Sequence, residues 1–187
     1  MITLATLMEQ TSQLSLSGFK ESLLFQSEDT SYQSLSFEER LYHLFEAEIN
    51  QRQDKRIKRM LTMAKLKDSS ASLDQIQYHA KRKLDKSQIL SLANCEFINK
   101  FQNILLTGAT GTGKSFLAQA IARRAILLSY TAKYYRVTTL LEEIKMARLD
   151  GSYTKTLAKI SKFKLLLLDV PQGHFLRAFR SNTTQRR

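Results

Sequence analysis

The residues best suited to chemistry lie in one run, Gly108, Ala109, Thr110, Gly111, Thr112, Gly113, Lys114 and Ser115. Together they satisfy G-x-x-x-x-G-K-[ST] at every fixed position. Each residue type has a physical task. Glycines at 108, 111 and 113 accept backbone angles that would clash with a Cβ, so successive N–H groups can turn inward onto one anion. A helix starting near Lys114 would aim its unpaired N–H groups and its positive dipole end at the same place. Lys114 then sets a full charge between the β- and γ-phosphates of ATP, and the Ser115 hydroxyl is a ligand for Mg²⁺.

The second half of such a site is an acid at the end of a neighbouring apolar strand. Leu165–Asp169 reads LLLLD, which makes Asp169 the candidate for holding Mg²⁺ directly or through water. Hydrolysis also needs a base that orients the attacking water, commonly an acid directly after the first. Here that residue is Val170, which can neither polarise water nor accept its proton. Binding is therefore expected, and hydrolysis is expected to be impaired.

The elements that must position these groups follow from periodicity. Asn103–Thr107 is a compact apolar run ended by glycine and reads as a buried strand, and Lys114–Leu128 resumes helical spacing. Lys133–Val137 reads as a second strand. Thr138–Ile160 is mostly helical with a turn at Asp150-Gly151, and Lys164–Leu168 is a third strand. Strands alternating with helices give an α/β fold with a parallel sheet. Upstream, Gly18 interrupts a weak helical pattern. Ser36 with Glu39 makes a capping box opening a long helix, whose Phe37, Leu41, Leu44, Phe45 and Ile49 share an apolar face. Arg52, Lys55, Arg56 and Arg59 share another face, which suits either nucleic acid or a solvated basic surface. A second basic cluster, Lys81–Lys83, precedes a short helix over Asp85–Ala93, and after Asp169 no period is evident.

Composition narrows the setting. Across 187 residues the net charge is +12, which favours a polyanionic partner, while apolar and charged fractions of 43% and 25% are ordinary for a globular protein. No apolar run is long enough to span a bilayer, and the N-terminus lacks the features of a signal peptide. The single Cys95 cannot form an internal disulfide, and His43, His79 and His174 have no metal-site spacing. A cytoplasmic location follows as the expectation.

With the loop, the LLLLD strand and the basic helix in hand, the sequence resembles the IstB-like ATP-binding proteins. These are AAA+ ATPases of the P-loop class that assist insertion-sequence transposases and are related to the DnaC helicase loaders. The resemblance covers roughly Ser36–Asp169, including SFEERLYHLFEAEINQR, the join from LDKSQILSLANCEFINKFQNILLT to the Walker A loop, and LLEEIKMARLDGSY. It implies an ATP-binding protein that couples ATP binding to DNA binding and activates a cognate transposase, and that in intact relatives assembles into homo-oligomers. It also implies that Lys145, Arg148, Lys155 and Lys159, which fall between the second and third strands, lie against DNA.

Beyond Asp169 the resemblance stops. The family pattern continues with a second acid, a sensor strand and an arginine finger, and VPQGHFLRAFRSNTTQRR matches none of them, so Arg177, Arg180, Arg186 and Arg187 are not assigned as a finger. The expected organisation is a helical N-terminal region over 1–70 that binds DNA or a partner, a partial AAA+ domain over 71–169, and an aberrant basic tail over 170–187, as in a C-terminally truncated chain. Without a sensor strand, the first and third strands are expected to pair with each other or to leave facing edges open. Three rivals use the same residues: a P-loop phosphotransferase, a helicase-loader-like ATPase, and an inert or DNA-binding remnant of a transposon gene.

Overall fold

The computed structural model describes residues 3–78, 84–170 and 173–178, and it divides into two compact units, Met1–Lys58 and Arg59–Arg187. The Lys81–Lys83 cluster, His79 and the arginines at 180, 186 and 187 lie outside the described residues.

The first unit is helical. Helices α1 (Leu4–Gln13) and α2 (Ser17–Glu28) precede α3 (Phe37–Ala64), which begins in this unit. The capping box at the start of α3 is formed. Ser36 N–H donates to Glu39 Oε2 at 2.8 Å, and Glu39 N–H donates to Ser36 Oγ at 3.2 Å. Gly18 does not interrupt a helix as its residue type suggests. It is buried in the first turn of α2, where a Cβ would lie 2.6 Å from the Ala47 carbonyl oxygen, so its missing side chain lets α3 approach. The apolar face of α3 is only partly used. Leu44 is buried, whereas Phe37, Phe45 and Ile49 remain 71%, 53% and 62% exposed. Phe45 meets Phe19 edge-to-face, with centroids 5.6 Å apart.

The second unit is the α/β domain. Helices α4 (Lys86–Ala93), capped by the Asp85 side chain, and α5 (Glu96–Asn99) lead into strand β1 (Ile104–Thr107). Then follow α6 (Lys114–Leu127), β2 (Ala132–Arg136), α7 (Val137–Leu149), α8 (Tyr153–Ile160), β3 (Leu165–Val170) and β4 (Gly173–Ala178). Helix α6 touches all four strands, and its Ala118, Ile121, Ala122, Ala125 and Ile126 have essentially no exposed surface. Alternation along β3 splits its leucines. Leu166 packs with Ile160 and Phe163, with Leu168 and Leu140 beside them, and the fully buried Leu165 and Leu167 point the other way. Cys95 is buried, and burial pushes its thiol up to about 11, which makes it inert packing.

The sheet order is β1-β4-β3-β2. β2 and β3 are parallel, while β4 runs antiparallel to both β3 and β1, so β1, β2 and β3 all point the same way. Within the segment after Asp169, where no period is evident, Gly173–Ala178 forms a strand. This corrects one expectation, since β1 and β3 neither pair with each other nor face an open gap. β4 fills the slot between them, with Phe175 opposite both Leu105 and Leu168. An interior strand hydrogen-bonds through both edges, which removes the cost of unsatisfied backbone groups that an open slot would carry. The expected buried strand over Asn103–Thr107 is corrected too: β1 is an edge strand of this sheet, none of its residues is buried, and Leu105 is 64% exposed.

Candidate nucleotide-binding site

The loop between β1 and α6 has the backbone its glycines permit. Gly108, Gly111 and Gly113 have φ of 146°, 80° and 84°, a region that L side chains rarely adopt. Gly113 is also the N-cap residue of α6, so the helix begins at Lys114 with its N-terminus at the loop. Thr112 Oγ1 donates to the Ala109 carbonyl at 2.9 Å, closing the turn. The Lys114 ammonium arches back over the loop and donates to the Gly108 and Ala109 carbonyls at 2.8 and 2.6 Å.

Two clefts flank this loop. One, of about 590 Å³, is lined by Thr110, Lys114, Ser115, Arg136, Asp169 and Val170 among others. It gathers the sequence-derived lysine, hydroxyl and acid, with Val170, the residue after that acid, on its wall. The other, of about 820 Å³, shares Gly111, Gly113, Lys114 and Phe116 but is walled by Ile76, Leu105 and Leu117, with Gln75 and Gln77 also in its lining. Arg136 and Asp169 belong to the first, the polar cleft, and the aliphatic walls to the second, the apolar cleft, a division by lining residues that suits the two ends of a nucleotide.

Asp169 has partners that the sequence does not reveal. Its Oδ2 accepts from Lys67 Nζ at 2.7 Å and from the Tyr134 hydroxyl at 2.5 Å. The hydrogen bond to Asp169 holds Lys67 above the ordinary lysine range, while burial, followed by the Asp169 contact, raises Tyr134. Ser115 and Asp169 offer oxygen donors on one cleft, a set that suits Mg²⁺, which takes few protein ligands and completes its shell with phosphate and water. Among the described residues no cluster of three or more His, Cys, Asp or Glu could hold a metal ion by itself.

The basic residues fall into distinct groups. Arg52 and Lys55 are tied into the first unit. Arg52 Nε donates to the buried Glu48 at 2.5 Å, and Lys55 Nζ donates to Ser17 Oγ and Gln51 Oε1 at 2.6 and 2.9 Å. Arg56 and Arg59 are exposed further along α3. Lys145 and Arg148 on α7, and Lys155 and Lys159 on α8, are all exposed, with Arg148 stacked over the Tyr153 ring at 5.0 Å. The structure adds Lys133, whose ammonium donates to the Met63 carbonyl at 2.8 Å near the end of α3. Burial, then the positive charges of Lys65 and Lys159, lower its pKa.

Comparison with known proteins gives this arrangement a family. The family model for IstB-like ATP binding proteins matches residues 9–175. The chain belongs to the IstB-like ATP-binding proteins. Among its relatives is a Pseudomonas fluorescens protein of insertion sequence IS1162 named for ATP binding, 40% identical over 90% of this chain and 73% of its own length. A Sinorhizobium fredii insertion-sequence protein, y4pL, is 31% identical over 73% of this chain and 56% of its own. The IS5376 protein of Geobacillus stearothermophilus is 29% identical over 76% and 57%. The IstB-like chain thus spans a little over half the length of the latter two. Among the described residues no helix is long and apolar enough to cross a membrane.

Proposed function

We propose that this chain binds Mg-ATP and acts in insertion-sequence transposition, coupling nucleotide binding to DNA binding and to activation of a cognate transposase. The observation that carries the nucleotide half is the convergence of Lys114, Ser115 and Asp169 on one cleft around a loop with three positive-φ glycines. The adenine base would enter the apolar cleft past Ile76 and Leu117. The loop N–H groups and Lys114, released from the Gly108 and Ala109 carbonyls, would take the phosphates. Bound Mg²⁺, held by Ser115 and Asp169, would neutralise charge on the phosphates. For Asp169 to serve, its ion pair with Lys67 must loosen, which sets a threshold on metal binding.

Hydrolysis is the weak step. Val170 lines the cleft where a water-orienting acid is needed and offers no lone pair or proton acceptor. We therefore read this chain as a nucleotide-dependent binder with slow or absent turnover. The exposed cations of α7 and α8 and the Arg56–Arg59 end of the α3 stripe are the DNA-contacting candidates, with Arg52 and Lys55 reassigned to structure. Self-assembly into oligomers belongs to the same proposal.

The test is a titration of a fluorescent ATP analogue against the parent chain and Lys114→Ala. Loss of a charge-assisted hydrogen bond is worth about 1.5–3 kcal/mol, roughly a tenfold or greater drop in affinity. Equal affinities would remove the nucleotide reading. Phosphate release by the parent at the rate of an intact relative would remove the impaired-hydrolysis reading alone.

A further inference from the structure

Arg136 lines the polar cleft together with Lys114, Ser115 and Asp169, yet no sequence pattern singles it out. It is the last residue of β2, with its Cα paired to that of Asp169 on the parallel strand β3. It is also the N-cap residue of α7, and its side chain makes no capping hydrogen bond there. That position favours Ser, Thr, Asp or Asn, and a cation sits badly at the positive end of a helix dipole. The guanidinium is exposed, lies beside the Tyr134 hydroxyl, and takes part in none of the salt bridges formed among the described residues. An arginine at this position is therefore unfavourable for α7, and the carboxylate alongside it, Asp169, is paired with Lys67 and Tyr134 instead. A bound anion would reverse the sign of that contribution.

We propose that Arg136 is a phosphate-binding residue of the nucleotide site and that it contacts the terminal phosphoryl group. This rests on the nucleotide reading above. The choice of the terminal group comes from the two clefts. Ile76, Leu105 and Leu117 line only the apolar one, while Arg136, Asp169 and Val170 line only the polar one. A nucleotide with its base against the apolar walls crosses the loop and presents its last phosphate towards the ends of β2 and β3. There the planar guanidinium offers two parallel N–H donors to one phosphoryl group, a match that the point charge of lysine does not reproduce. Arg136 would thus set a preference for nucleoside triphosphate over diphosphate.

The experiment titrates the full chain with fluorescent N-methylanthraniloyl derivatives of ATP and ADP in Mg²⁺ buffer, for the parent, Arg136→Gln, Arg136→Lys and Lys114→Ala. Arg136→Gln is expected to weaken ATP about tenfold or more and ADP by no more than about twofold. Arg136→Lys should fall between the parent and Gln. Lys114→Ala should weaken both nucleotides. If Lys114→Ala weakens both but Arg136→Gln weakens neither, or weakens ATP and ADP equally, the Arg136 inference is overturned while the nucleotide reading stands. If Lys114→Ala changes neither, both fall. Circular dichroism melting of Arg136→Gln checks the fold. Because the residue is exposed and poorly suited to its cap, the variant should melt at or above the parent's temperature, so a selective loss of ATP cannot be put down to unfolding.

Discussion

Removing the Glu48 carboxylate tests whether the basic stripe on α3 is a nucleic-acid surface or part of the scaffold. Helix α2 begins after Leu16, which supplies no side-chain cap. Its first-turn amides are met instead from α3, where Glu48 Oε2 accepts from Gly18 N–H at 2.8 Å and Phe19 N–H at 3.1 Å. Glu48 itself is 6% exposed, and Arg52 supplies its counter-charge. Losing a helix cap costs about 0.5–2 kcal/mol, and hydrogen bonds to a charged group are worth about 1.5–3 kcal/mol each, though these energies do not add. Glu48→Gln keeps the shape and loses the charge, so a cost of roughly 1.5–2 kcal/mol is expected, and Glu48→Ala should cost about 3 kcal/mol. The pH dependence has a definite sign. Burial pushes the Glu48 carboxyl up, but the Arg52 hydrogen bond and the Phe19 and Gly18 amides more than offset it, so the group sits below its ordinary value. Its contribution is present above the unfolded pKa and is lost as pH falls through the lower folded value. Urea unfolding followed by circular dichroism from pH 7 to pH 3, on the parent, Glu48→Gln, Arg52→Gln and the double variant, reads all of this. Coupling of about 1 kcal/mol or more between the two positions is expected, with a flatter acid limb in Glu48→Gln. Single variants within about 0.5 kcal/mol of the parent at every pH would refute the reasoning and return Arg52 to the DNA candidates.

Gly18→Ala would place a Cβ 2.6 Å from a backbone oxygen that cannot move aside cheaply, so a loss of about 1–3 kcal/mol is expected by urea unfolding. Phe175→Pro removes an amide in the middle of an interior strand and should cost about 3 kcal/mol or more, read as an earlier thermal transition. In DNA binding measured against salt, replacing Arg56 and Arg59 with Gln should reduce the log–log slope by about 0.9 for each phosphate no longer neutralised, while Lys55→Gln should leave it unchanged.

Much of the α/β unit is legible in the sequence because its signals are local. The loop pattern calls for a strand before Gly108 and a helix from Lys114, and β2, α7, α8 and β3 lie within a residue or two of their periodicity. What stays hidden depends on distant partners. Lys67 meets Asp169 across 102 residues, and no spacing rule reports such a pair. β4 carries no alternating pattern in GHFLRA, since its strand character comes from having a neighbour on each edge. Gly18 resembles a helix breaker because its reason for being glycine lies on α3. Arg52 and Arg59 look alike in sequence, and only Glu48, itself buried by packing, separates their surroundings. Arg136 passes for a strand-end surface charge until the neighbouring strand brings Asp169 alongside.

The position of β4 also dictates an order of assembly. β3 and β4 are adjacent in sequence and form a local antiparallel pair, which can zip on the microsecond scale of a hairpin. Among the described strands β1 pairs with β4 alone, and joining it requires closing the long chain segment that contains α6, β2, α7 and α8. Such a closure carries the greater entropic cost and belongs late in folding. The glycine loop hangs from β1 and Asp169 from β3, so the two walls of the candidate nucleotide cleft meet only when this last strand docks. A ligand that bridges them would act as a clamp on the slowest-formed junction in the domain.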